Sequence, residues 1–166
     1  MPRKKSSNGH PTSINPPKYF LEIAELVSER YPDAKKIIEI GVGKAPYAAL
    51  HLKSFLPEAE ITVTDVDEQV VREVARRGLN AVADDISNPD LGIYKGVDLI
   101  YSIRPPFELI PKIALLAEKV GSDALIIPLS EDAYLSSLSR EWHPIRKGSF
   151  TAYLLRKKAP GPSEVV

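Results

Sequence analysis

The chain has 166 residues, 43% of them hydrophobic and 27% charged, which is enough length and apolar content for one ordinary globular domain. Lysine plus arginine and aspartate plus glutamate balance at 22 each, so no global field draws in nucleic acid or an acidic membrane surface. The absence of cysteine excludes a disulfide framework, cysteine-ligated zinc and a cysteine nucleophile, and His10, His51 and His143 are too scattered for metal-ligand spacing, so no metal is expected.

Residues 1–17, "MPRKKSSNGHPTSINPP", are rich in proline, serine and basic side chains and are expected to form a disordered basic tail. No apolar run follows the basic start, as a secretory signal would require, and no segment reaches the ~20 apolar residues that span a bilayer. A cytoplasmic location with no membrane contact is the resulting expectation. The ordered domain is expected over 18–157, with a second disordered tail over 158–166.

Within the domain, "YFLEIAELVSERY" carries Phe20, Ile23, Ala24 and Val27 at helical spacing. "AKKIIEIGV" reads as a short buried strand, "PYAALHLKSFL" returns to the helical period, and "ITVTDVD" is a second strand. "DEQVVREVARRG" opens on acids and closes on Arg76, Arg77 and Gly78, an order that suits a helix dipole and a glycine stop. A third strand is expected at "NAVADDIS" and a fourth at "GVDLIYSI". "LIPKIALLAEKVG" follows as a helix with Pro111 in its first turn. "SDALIIPL" is a fifth strand, "SEDAYLSSLS" a short helix capped by Ser130, and "WHPIRKGSFTAYLLRKK" a hairpin turning at Lys147-Gly148-Ser149. Strands alternating with helices imply right-handed crossovers. The expected fold is α/β and doubly wound: a mostly parallel sheet with helices on both faces and a C-terminal antiparallel hairpin.

Ligands of such sheets bind beyond the carboxyl ends of the strands, where the strand order reverses. The first strand ends in Glu39-Ile40-Gly41-Val42-Gly43, and two glycines permit positive φ and close backbone approach. Asp65 closes the second strand near the spacing at which an acid meets a ribose hydroxyl pair, or else caps the helix at "VDEQVV". Asp84 and Asp85 close the third strand. Either is a candidate to accept from an adenine amino group while Ile86 flanks the ring, and either also reads as a solvated turn. A dinucleotide fingerprint wants a third glycine where Pro46 stands, and Glu39 sets a negative charge where a pyrophosphate would lie. An acid suits a cationic ligand instead, and S-adenosylmethionine has a positive ammonium and sulfonium.

With "EIGVG", "TDVD" and "ADDI" in that order, the chain resembles the class I S-adenosylmethionine-dependent methyltransferases over most of residues 37–156. The combination with "DLIYSIRPP" is similar to a compact archaeal group known as an uncharacterised protein family. The resemblance implies a Rossmann-like methyltransferase fold with S-adenosylmethionine as its small-molecule cofactor. It would make Gly41 and Gly43 the cofactor loop, organised by Glu39, with Asp65 on the ribose and Asp85 beside the adenine, Asp84 being its rival.

The resemblance also implies catalytic or acceptor contacts after the fourth strand, at "SIRPPFE". Amino-methylating members of that superfamily carry a hydrogen-bond acceptor before their Pro-Pro pair. Here Arg104 precedes Pro105, Pro106 and Phe107, and a guanidinium only donates. Ser102 and Arg104 are the catalytic candidates. Arg104, Pro105, Pro106 and Phe107 are the substrate-side candidates, with Arg104 clamping a phosphate or carboxylate, or pairing with Asp84, Asp85 or Glu108. The basic residues of the hairpin, Arg146, Lys147, Arg156, Lys157 and Lys158, are a candidate RNA-binding edge. The leading expectation is a small methyltransferase of unknown acceptor. Its alternatives are a non-catalytic cofactor-binding or regulatory module and a nucleotide-binding oxidoreductase.

Overall fold

The computed structural model describes residues 16–128 and 141–158. The helix expected from Ser130, and residues 1–15 and 159–166 of the expected tails, lie outside the described residues.

Helix α1 (Lys18–Arg30) begins behind Pro17 and buries Phe20, Ile23, Ala24, Leu26 and Val27, the stripe its periodicity announces. Strand β1 (Lys36–Ile40) leads through the glycine bend to α2 (Tyr47–Phe55), with Pro46 one residue before the helix. β2 (Glu60–Asp65) feeds α3 (Glu68–Ala75), whose cap is Asp67, accepting from the Gln69 amide. Then come β3 (Asn80–Ala83), a 3₁₀ turn at Leu91–Tyr94, and β4 (Leu99–Ile103). Helix α4 (Ile110–Val120) carries Pro111 in its first turn and ends on Gly121 at φ 73°. β5 (Asp123–Ile127) and the hairpin β6 (Trp142–Lys147) and β7 (Phe150–Leu155) complete the sheet.

The seven strands lie in the order β3-β2-β1-β4-β5-β7-β6. The first five are parallel, and β7 runs antiparallel to both β5 and β6. Because alternate residues of a strand face opposite sides, Ile37, Leu99, Tyr101 and Leu125 pack with α1, α2 and α3. Ile38, Ile40, Ile100 and Ile126 pack with α4, Tyr94 and Trp142 on the other face. The strand order reverses between β1 and β4, so the crevice expected for a ligand opens above Ile40 and Ile103.

The third strand is shorter than the sequence suggests. It ends at Ala83, because Asp84 accepts from the Asp90 amide and the Tyr94 hydroxyl while Asp85 accepts from the Ser87 amide, and these turns draw the chain out of the ladder.

The hairpin is fastened to α1. Lys147 lies 3.8 Å from Glu25 and 3.5 Å from Glu29, and the Ser149 hydroxyl donates to Glu22. Gly148, at φ 54°, faces the Glu22 carboxylate so closely that a Cβ there would overlap it. Lys158 pairs with Glu118 and Glu141, and Arg146 donates to Thr151. Two cations of the hairpin's basic cluster, Lys147 and Lys158, are thus paired with carboxylates of the same chain. At the opposite sheet edge from the crevice, the Tyr31 hydroxyl and the Lys157 amide both donate to Asp123, closing the base of α1 onto β5 and β7. No helix among the described residues is long and apolar enough to cross a membrane.

Candidate functional site

The bend after β1 is built from three backbone donors that are already committed. The Gly41 and Val42 amides both donate to the Thr64 carbonyl, at 2.9 and 3.0 Å, and the Gly43 amide donates to Asp65 Oδ2 at 2.9 Å. Gly41 and Gly43 adopt φ of 70° and 61°, a region that side chains bearing a Cβ avoid. A Cβ built on either glycine would meet nothing within 4 Å. The bend therefore borders open space, and its Gly41, Val42 and Gly43 amides are engaged within the chain and not free to cradle a phosphate.

Beneath it lies Glu39, 1% exposed. Strand alternation places it on the α1–α2 face beside Tyr101, its register partner on β4, whose hydroxyl donates to Glu39 Oε1 at 2.8 Å. No basic side chain pairs with it among the described residues. Burial pushes its carboxyl up to about 8, the Tyr101 hydrogen bond pulls the other way, and Asp65 adds to the rise. Burial, followed by the charge and hydrogen bond of Glu39, likewise lifts the Tyr101 phenol well above its ordinary value. A buried carboxyl without a cation, near a second carboxylate and open space, is an arrangement that a positively charged ligand would complete.

Asp65 is held by two backbone amides, Gly43 through Oδ2 and Asp67 through Oδ1. It ties the end of β2 to the bend after β1, and it is Asp67 that caps α3. Of the two rivals beyond β3, Asp84 is taken by its own turn on both oxygens, whereas Asp85 is exposed and accepts only through Oδ1. Ile86 packs partly against the second core. Val66, passed over in the sequence, is 70% exposed directly after Asp65 and supplies an apolar face at this edge.

The residues after β4 are disposed differently. Ser102 is buried and its hydroxyl donates to the Ile40 carbonyl at 2.9 Å, bracing the two strands that flank the crevice. Arg104 is exposed, with φ at 54° and its amide donating to the Ile127 carbonyl. Its guanidinium stacks over the Tyr19 ring, 4.9 Å from the centroid, instead of pairing with Asp84, Asp85 or Glu108. Tyr19 in turn stacks on Phe20, and burial raises its phenol, with Arg104 lowering and Glu39 raising it. Tyr19 thus lies within electrostatic reach of both the exposed Arg104 and the buried Glu39. Pro106 and Phe107 are exposed beside Arg104, and Pro105 is half-buried. Among the described residues, no group of three or more His, Asp or Glu is placed to hold a metal ion.

A family model described as an uncharacterised protein family, UPF0146, matches residues 20–153. The chain belongs to UPF0146. Relatives include the UPF0146 protein of Archaeoglobus fulgidus, 39% identical over 69% of this chain and 82% of its own. That of Methanocaldococcus jannaschii is 38% identical over 64% of this chain and 75% of its own. Solved structures share the fold at low identity. The human methyltransferase 10 domain containing protein gives a TM-score of 0.66 at 14% identity, covering 86% of this chain and 84% of its own. The fibrillarin/Nop5p complex gives 0.59 at 15%, covering 75% and 73%. The N-terminal domain of EvdMO1 with SAH bound gives 0.61 at 14%, covering 84% and 81%. This UPF0146 chain therefore has a Rossmann-like, methyltransferase-like fold, as its motifs implied.

Proposed function

We propose that the chain binds S-adenosylmethionine at the β1–β4 crevice and acts as a small methyltransferase. The observation that carries the reading is Glu39: a carboxyl buried with no basic partner among the described residues, under a bend whose Gly41, Val42 and Gly43 amides are already committed. A pyrophosphate would meet Gly41, Val42 and Gly43 amides that are already engaged and would face that acid, whereas an ammonium would supply the partner the acid lacks. In this reading Glu39 organises the ligand's cationic end, Gly41 and Gly43 leave room for it, and Asp65 faces the ribose. Asp85 lies at the adenine edge, since Asp84 is taken by its turn, and Val66 and Ile86 are its apolar neighbours. The ligand supplies an activated methyl group. The protein's task is alignment, which lowers a barrier by holding reactants in line.

A second reading, a module that binds the cofactor without turnover, is favoured by the hydroxyls at the end of β4, since Ser102 and Tyr101 both have committed partners. Calorimetric titration of the full chain with S-adenosylmethionine, SAH, NAD and ATP separates the possibilities. Binding of the first two, and of neither NAD nor ATP, is expected. Heat from NAD alone would end the proposal, and donor binding with no labelled methyl leaving it in any acceptor pool would leave the module.

A further inference from the structure

Resting on that reading of the crevice, we infer that the acceptor is a small molecule bearing an oxyanion, held by Arg104 at the outer end of the site. The charges of the crevice are arranged asymmetrically. Asp65 and Asp85 give the cofactor end a negative character above the buried Glu39 carboxyl, and the cation after β4 is one guanidinium, set over Tyr19. Among the described residues no carboxylate pairs with it.

Its backbone points the same way. Arg104 is the one non-glycine residue at positive φ among those described. Glycine would take φ 54° without strain, so the conformation favours a glycine unless the side chain has a use. Fastening α1 to the sheet is not a sufficient use, since Lys147 and Ser149 already grip Glu22, Glu25 and Glu29 on that helix. The contact with Tyr19 is a cation–π contact and uses no hydrogen bond of the guanidinium. Among the described residues no acceptor takes its side-chain N–H donors, and the contact with the ring restrains where the guanidinium sits. That is the geometry of a two-pronged clamp for carboxylate or phosphate.

The chemistry of transfer is consistent with such an acceptor. The Tyr101 and Ser102 hydroxyls keep their protons, donated to Glu39 and to the Ile40 carbonyl, and a neutral hydroxyl is no base toward an alcohol. An oxyanion needs no proton removed. A lone pair on the acceptor oxygen forms the new O–CH₃ bond as the donor's S–CH₃ bond breaks, and the bonding pair remains on sulfur. A sulfonium and an anion become a thioether and an ester in which that oxygen is neutral, with charge and atoms balanced.

The test uses the full chain and three probes, benzoate, phenyl phosphate and neutral benzamide, each followed by ligand-detected NMR with and without saturating SAH. Benzoate or phenyl phosphate should bind at least 10-fold more tightly than benzamide, and the better of the two identifies a carboxylate or a phosphate acceptor. Arg104→Gln should abolish the preference and Arg104→Lys should restore part of it, while SAH affinity stays within 2-fold in both. Equal binding of benzoate, phenyl phosphate and benzamide, or an anion preference that survives Arg104→Gln, would overturn the inference. If SAH itself fails to bind while the Arg104-dependent preference persists, the cofactor reading falls and the anion site stands.

Discussion

Replacing Glu39 by glutamine separates a carboxyl kept for a ligand from one kept for the fold. The side chain is fully buried, and its carboxyl is pushed from an ordinary 4.5 up to about 8, chiefly by burial. In the unfolded chain it ionises near its ordinary value, so between pH 4.5 and 8 the folded state binds the extra proton. Stability therefore falls as pH rises through that window and levels off above it. At roughly 1.4 kcal/mol for each pH unit, the fold gives up on the order of 3 kcal/mol at pH 7. Glutamine preserves the shape and the oxygen that accepts from Tyr101 and removes the titration. Urea unfolding followed by circular dichroism should find Glu39→Gln close to wild type at pH 4.5, on the order of 3 kcal/mol more stable at pH 7 and on the order of 5 kcal/mol more stable above pH 8. Cofactor binding should move the opposite way. If an ammonium requires the ionised acid, wild-type affinity for S-adenosylmethionine should fall by up to about 50-fold from pH 8 to pH 6, with proton release on binding. The variant should bind weakly and without that pH dependence. A variant that is no more stable, or that binds the cofactor as wild type does, would refute the argument that the site leaves this charge for its ligand.

Three other perturbations probe neighbouring links. Asp65→Ala removes the acceptor of the Gly43 and Asp67 amides as well as the proposed ribose contact, so calorimetry should show cofactor affinity weakened by about 1–3 kcal/mol; unchanged affinity would confine Asp65 to shaping the bend. Arg104→Gly should raise stability in chemical denaturation by about 1 kcal/mol, because glycine accepts φ 54° without strain, and a loss would mean that the Tyr19 stack outweighs that strain. Gly148→Ala should destabilise by at least 1 kcal/mol, because its methyl overlaps the Glu22 carboxylate and its φ is positive. Adding Glu22→Ala should recover the steric part, and a double mutant no better than the single one would place the whole effect in the backbone.

The order of strands and helices, the glycine bend and the closing hairpin were legible in the sequence, because periodicity, proline position and turn residues are local properties. Local reasoning failed where a group's partner lies far along the chain. Asp84 and Asp85 are adjacent and chemically identical, yet only their contacts with Asp90, Tyr94 and Ser87 show that the first is held by its own turn while the second keeps an open oxygen. Tyr101 reads as a hydroxyl without a partner until sheet register sets it opposite Glu39, 62 positions earlier in the chain. The stack of Arg104 on Tyr19 has the same origin, since it joins the end of β4 to the start of α1. What the sequence determined by itself is which residues turn, alternate and cap. Only the tertiary structure decided which charges are buried, which are shared and which stand apart from others, because desolvation and pairing depend on neighbours that the fold alone brings together.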